Sequence, residues 1–99
     1  MTLEGLTEKI KAKVPRVLAN RLKAEAKRAR CTPSRLIRWI LGQHLKPLEA
    51  PYRVKHGADN VSLVFKAAPS TALILEAKAE SLGASVADVL SAVMIREFA

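Results

Sequence analysis

The chain has a single cysteine, Cys31. A lone thiol excludes an internal disulfide framework and a Cys-rich zinc site, and it suits a reducing compartment. Aromatic residues make up only 4% of the sequence: Phe65, Phe98, Trp39 and Tyr52. That is too few for a row of stacking platforms such as single-stranded nucleic acid requires. Acidic residues are also scarce, with 9 Asp+Glu against 17 Lys+Arg. No apolar run approaches the roughly 20 residues of a membrane span. The longest candidates, around Leu36–Leu41 and Val89–Ile95, are broken by Arg38 and Ser91. The stretch from Met1 to Glu8 carries Glu4 and lacks the apolar core of a signal peptide. These absences lead us to expect a soluble, cytoplasmic protein with no membrane partner.

Catalytic signatures are missing too. There is no phosphate-cradling glycine loop, no nucleophile–base pair and no pair of acids with room for a substrate between them. His44 and His56 have no Cys or His neighbours at metal-ligand spacing. The expectation is a protein that is not an enzyme and that uses no metal and no cofactor.

The basic surplus is the first positive feature. A net charge of +8 on 99 residues points to a polyanionic partner, nucleic acid before anionic membrane. With 49% apolar residues the chain is too hydrophobic for a disordered basic tail. The charge is unevenly spread: residues 1–58 carry a net +10 and residues 59–99 a net −2. One half should therefore meet the polyanion more strongly.

Periodicity divides the chain into two similar halves. Residues 9–14 alternate strictly, with Lys9, Lys11 and Lys13 on one face and Ile10, Ala12 and Val14 on the other, as in a half-buried strand. Pro15 ends the strand and suits the first turn of a helix running from Arg16 to Arg30. Its thin apolar stripe is Leu18, Ala19, Leu22, Ala26 and Ala29. Thr32 as N-cap and Pro33 as first helical residue start a second helix, whose apolar face is Leu36, Ile37, Ile40, Leu41 and Leu45. Lys46-Pro47 closes it. Trp39, at the edge of this face, is expected to pack in the core or between the halves.

Residues 46–59 have no periodicity and read as a linker. A second alternating run follows, with Val61, Leu63, Phe65 and Ala67 on one face and Ser62, Val64 and Lys66 on the other. The helix after Pro69 carries Ala72, Leu75, Ala79 and Leu82 and ends near Gly83. Ser85 and Asp88 form a capping-box-like start to a last helix with Val89, Leu90, Val93, Met94 and Phe98.

A shift of 53 residues superposes the halves, matching Leu22 to Leu75, Ala26 to Ala79, Thr32 to Ser85, Ile40 to Val93 and Leu45 to Phe98. Pro15 then falls on Ala68 rather than Pro69, which leaves the register of the second strand open by one residue. A lone strand has unpaired backbone groups, and one unit of about 40 residues buries too little apolar surface to stand alone. Pairing the strands as an antiparallel ribbon over four interlocked helices solves both problems. Small Ala12 then makes room for large Phe65.

This pattern, Lys9 to Leu45 and more loosely Val61 to Phe98, resembles the ribbon-helix-helix family of Arc/MetJ-like DNA-binding proteins. The resemblance covers about three quarters of the chain and rests on pattern rather than on invariant residues. Two units fused in one chain resemble TraY-like proteins. The fold implied is α+β and mostly helical, in the order β-α-α-linker-β-α-α. It comprises repeat 1 (residues 1–45), a linker (46–59) and repeat 2 (60–99), folded together as an intramolecular pseudo-dimer.

The resemblance also implies a site. Ribbon-helix-helix proteins place the ribbon in the major groove, so the base-reading residues would be Lys9, Lys11, Lys13, Ser62, Val64 and Lys66. The start of each second helix would hold a phosphate: Thr32, Pro33, Ser34 and Arg35 in repeat 1, Ser85, Val86 and Ala87 in repeat 2. Asp88 stands where repeat 1 has Arg35, and its charge should weaken the second clamp. Arg53, Lys55 and His56 in the linker are candidates for flanking phosphate contacts, and some of Arg16, Arg21, Lys27, Arg28, Arg30 and Arg38 for the DNA backbone.

The expected partner is double-stranded DNA and the expected role a transcriptional repressor acting by operator occlusion. The expected state is a monomer that is its own pseudo-dimer, with cooperative assembly on DNA left open. An accessory role in conjugative plasmid transfer fits the same residues. An antitoxin or other protein-binding module fits less well, because the chain stops directly after the last helix.

Overall fold

The computed structural model describes residues 5–55, 57 and 59–99. It is a small α+β fold in the order β1 (Glu8–Pro15), α1 (Arg16–Arg28), α2 (Pro33–His44), β2 (Asn60–Ala67), α3 (Pro69–Ser81) and α4 (Val86–Phe98). β1 and β2 form a two-stranded antiparallel sheet. The inward side chains are those the alternation predicts: Ile10, Ala12, Val14, Leu63, Phe65 and Ala67 are all buried. They cover a core completed by Leu22, Ile37, Ile40, Leu41, Leu75, Leu90, Val93 and Met94.

Lys11 pairs with Val64, flanked by Ile10 with Phe65 and Ala12 with Leu63. Phe65 thus faces Ile10, and Ala12 is only its diagonal neighbour. α3 and α4 start 53 residues after α1 and α2, the separation that also relates Lys11 to Val64 and His44 to Glu97.

The prolines do not break the correspondence. Pro15 closes β1 and serves as N-cap of α1, a correction to its placement in the first helical turn. Ala68 is the N-cap of α3 and Pro69 its first residue. The two caps therefore match although the two prolines do not.

α1 is two residues shorter than its periodicity suggests. Ala29 is its C-cap and is exposed rather than part of the apolar stripe. Arg30 follows at φ 56°, with Arg30 N–H bonded to Lys27 O and Cys31 N–H to Ala26 O. α3 ends identically, with Gly83 at φ 61°, Gly83 N–H on Glu80 O and Ala84 N–H on Ala79 O. Both are Schellman turns, which satisfy the last free carbonyls of the helix. Only the second has the glycine that the left-handed backbone favours.

Among the described residues, the connection from 46 to 59 contains no helix or strand but is fastened to the rest. Leu48 is buried in the core. Lys78 Nζ donates to Lys46 O and Leu48 O, at 2.9 and 3.1 Å. Tyr52 N–H donates to Asp88 O and Val54 N–H to Asp88 Oδ1. α4 packs against α1, α2, α3 and β1 and is buried from Asp88 to Met94, whereas α2 packs against α1, α4 and β2 and buries only Ile37, Ile40 and Leu41. Trp39 lies on the open side of α2 and is 51% exposed, contrary to the expectation of core packing. Its counterpart Ala92 is buried, one turn beyond the Asp88 that the connection grips. No helix among the described residues is long and apolar enough to cross a membrane.

Candidate nucleic-acid interface

Alternation in β1 and β2 fixes which side chains leave the ribbon. With the odd positions of β1 and the even positions of β2 turned away from the core, Lys9, Lys11, Lys13, Ser62, Val64 and Lys66 share one face. All six are exposed. Across the ribbon Lys9 faces Lys66, Lys11 faces Val64 and Lys13 faces Ser62. The set contains four cations and no acid. Like charges directly opposite each other destabilise a strand pair, so the Lys9–Lys66 pairing carries a cost that an anion above the ribbon would remove. Val64, 43% exposed in the middle, gives the face an apolar spot that can meet a thymine methyl.

One end of the ribbon adjoins the start of α2. Lys9, Val64 and Lys66 line a depression together with Ser34, Arg38 and Leu6. Three of the ribbon residues are thus brought beside one of the expected phosphate-binding residues. Arg38 Nη1 donates to Lys66 O at 2.9 Å, which fixes α2 against the strand. Thr32 Oγ1 accepts from Arg35 N–H at 3.1 Å and caps the helix. Thr32 and Arg35 are exposed, and Pro33 and Ser34 half-buried. Pro33 has no N–H, Arg35 N–H is taken by Thr32 Oγ1 and Leu36 N–H by Thr32 O, so the first turn offers an anion the Ser34 N–H and the positive end of the helix dipole.

The opposite end is built differently. Lys13 and Ser85 line a depression with Asn60, Val54, Gly57 and Asp88. Ser85 is exposed and Val86 half-buried. Ser85 Oγ accepts from Asp88 N–H and Asp88 Oδ2 accepts from Ser85 N–H, both at 3.1 Å, a complete capping box. Asp88 is itself buried, and its other oxygen takes Val54 N–H at 2.8 Å. Burial raises the pKa of this carboxyl, but the bonds from Val54 and Ser85 and the Arg53 guanidinium outweigh it and hold the value below the ordinary 3.8. The start of α4 already has a carboxylate in place, strapped down by the connection.

Several of the other basic residues are engaged within the molecule. Arg53 donates to Gly83 O at 2.8 Å and lies 3.7 Å from Asp88, and so turns towards α4. Arg16 Nε bonds both oxygens of Asp59. Arg21 and Arg28 share Glu25, and Arg21 also stands 5.4 Å over the Phe98 ring. Lys27, Arg30 and Lys55 are exposed, and His56 lies outside the described residues.

The grip on Asp88 is the part of the site that sequence reasoning missed. Its only signal was the isolated Leu48 among polar neighbours, since a buried leucine anchors whatever surrounds it. Among the described residues, no group of three or more His, Cys, Asp or Glu comes together in a way that could hold a metal ion. Compared with family models, curated proteins and solved structures, the chain has no match.

Proposed function

We propose that this chain is a tandem ribbon-helix-helix protein that binds double-stranded DNA sequence-specifically, reading the major groove with the β1–β2 ribbon. It acts in the cytoplasm as a single chain, by binding rather than catalysis, as a transcriptional repressor that occludes its operator. The observation that carries this reading is the outward ribbon face. Four exposed lysines, one serine and one valine stand there with no acid among them, and two of the lysines face each other directly.

A two-stranded ribbon fits the major groove, where lysine donates to guanine O6 and N7 and serine serves several bases. The α2 start beside Lys9 and Lys66 supplies a phosphate anchor that sets the ribbon's depth. The α4 start, filled by Asp88, supplies a weaker one. The preferred site is therefore only roughly palindromic, with one half gripped mainly through charge.

Selection of bound sequences from random duplex DNA, run beside single-stranded DNA and RNA pools, tests the proposal. The expected result is one enriched duplex motif with unequal halves. Enrichment only from the single-stranded or RNA pool, or no motif at all, contradicts it.

A further inference from the structure

α1 and α3 hold the same place in their β-α-α runs and start 53 residues apart. Each helix turns a central exposed alanine outward, Ala24 on α1 and Ala77 on α3, at equivalent positions. The charges beside those alanines are reversed. Lys23 and Lys27 on α1 stand where α3 has Glu76 and Glu80, and all four are exposed. Among the described residues none of the four makes an ion pair within the chain. Both flanks also expose a large apolar side chain, Val17 at 77% on α1 and Leu73 at 67% on α3. One fold thus presents two similar ridges of opposite sign, each with an unburied apolar residue.

We infer that α1 of one copy docks on α3 of the next, Lys23 and Lys27 facing Glu76 and Glu80 with the small Ala24 and Ala77 letting the helices approach. The occupant of each flank is a second copy of this chain, selected by charge complementarity. The contact joins two different surfaces, so it is head-to-tail, and successive copies build a ring or an open chain. Two helix faces make a small interface, which gives a weak, transient association. The inference does not depend on DNA binding, although copies lined up on a duplex would all run in one direction.

Disulfide trapping tests it on the full chain. Cys31→Ser is combined with Ala24→Cys in one protein and Ala77→Cys in another, both exposed positions, and the two are mixed in a glutathione redox buffer. The mixed 24–77 dimer should exceed either homodimer by about tenfold or more, and Glu76→Lys/Glu80→Lys in the Ala77→Cys protein should remove the excess. Melting curves of each variant confirm that it is folded. A statistical mixture, a preference for homodimers, no cross-linking, or an excess that survives the charge reversal would overturn the inference.

Discussion

His44 Nε2 lies 2.6 Å from Glu97 Oε2, and the two residues are 53 positions apart, as are the starts of α2 and α4. This hydrogen bond ties the end of α2 to the last turn of α4. Both side chains are half-buried. Replacing His44 with Ala should cost about 1 kcal/mol, and so should Glu97→Gln. The double variant should cost less than the sum, because the pair acts as a unit. Denaturant melts of the four proteins measure this; strict additivity would mean the contact contributes nothing.

Arg30 occupies the left-handed position of a Schellman turn in which its counterpart is Gly83. An L-residue there is strained by about 1 kcal/mol. Arg30→Gly should therefore stabilise the protein by about 0.5–1 kcal/mol, and Gly83→Ala should destabilise it by a similar amount. Thermal unfolding of both variants checks the pair of opposite signs.

Asp88 is the carboxylate whose pKa is lowered from 3.8 in the folded protein. A carboxyl depressed by folding contributes stability that is complete above its unfolded pKa and lost as pH falls through the folded value. Acid titration of stability should therefore show a loss beginning below about pH 4, and Asp88→Asn should remove that part of the profile. The same substitution weakens the capping box and the bond to Val54, and should cost about 1–2 kcal/mol at neutral pH.

The strands and helices were legible because alternation, helical spacing and caps are local. The inward face from Ile10 to Val14 and the Ser85–Asp88 cap are examples. The connection was not legible, because its order depends on distant partners: Lys78 for its first carbonyls and Asp88 for Tyr52 and Val54. For the same reason Trp39 read as a core residue. Its helix pattern matches that of α4, but α4 is packed by both α1 and α3, whereas α2 is packed by α1 and α4, and Trp39 stays half exposed. Of the site, the six ribbon positions followed from alternation, whereas the unequal helix starts required Asp88's burial to be seen.

The salt dependence of DNA affinity reports the phosphate contacts. Each phosphate neutralised should add about −0.9 to the slope of log affinity against log salt. Ser34 and Arg35 at the start of α2 are the expected anchor, so Arg35→Ala should make the slope shallower by about 1. Val86→Ala removes no charge and keeps its backbone N–H, so it should leave the slope unchanged. Binding titrations at several salt concentrations separate the two.

The ribbon is the centre of the account, and three lysines on one strand test it. Lys9→Ala/Lys11→Ala/Lys13→Ala alters only exposed side chains, so its stability should stay within about 0.5 kcal/mol of the parent. The decisive measurement is the affinity of this variant and of the parent for the selected duplex at one fixed salt concentration. A loss of about a hundredfold or more, with an unchanged melting curve, is the predicted result. Retention of the parent's affinity would contradict the account, because the ribbon would then not be the surface that reads DNA.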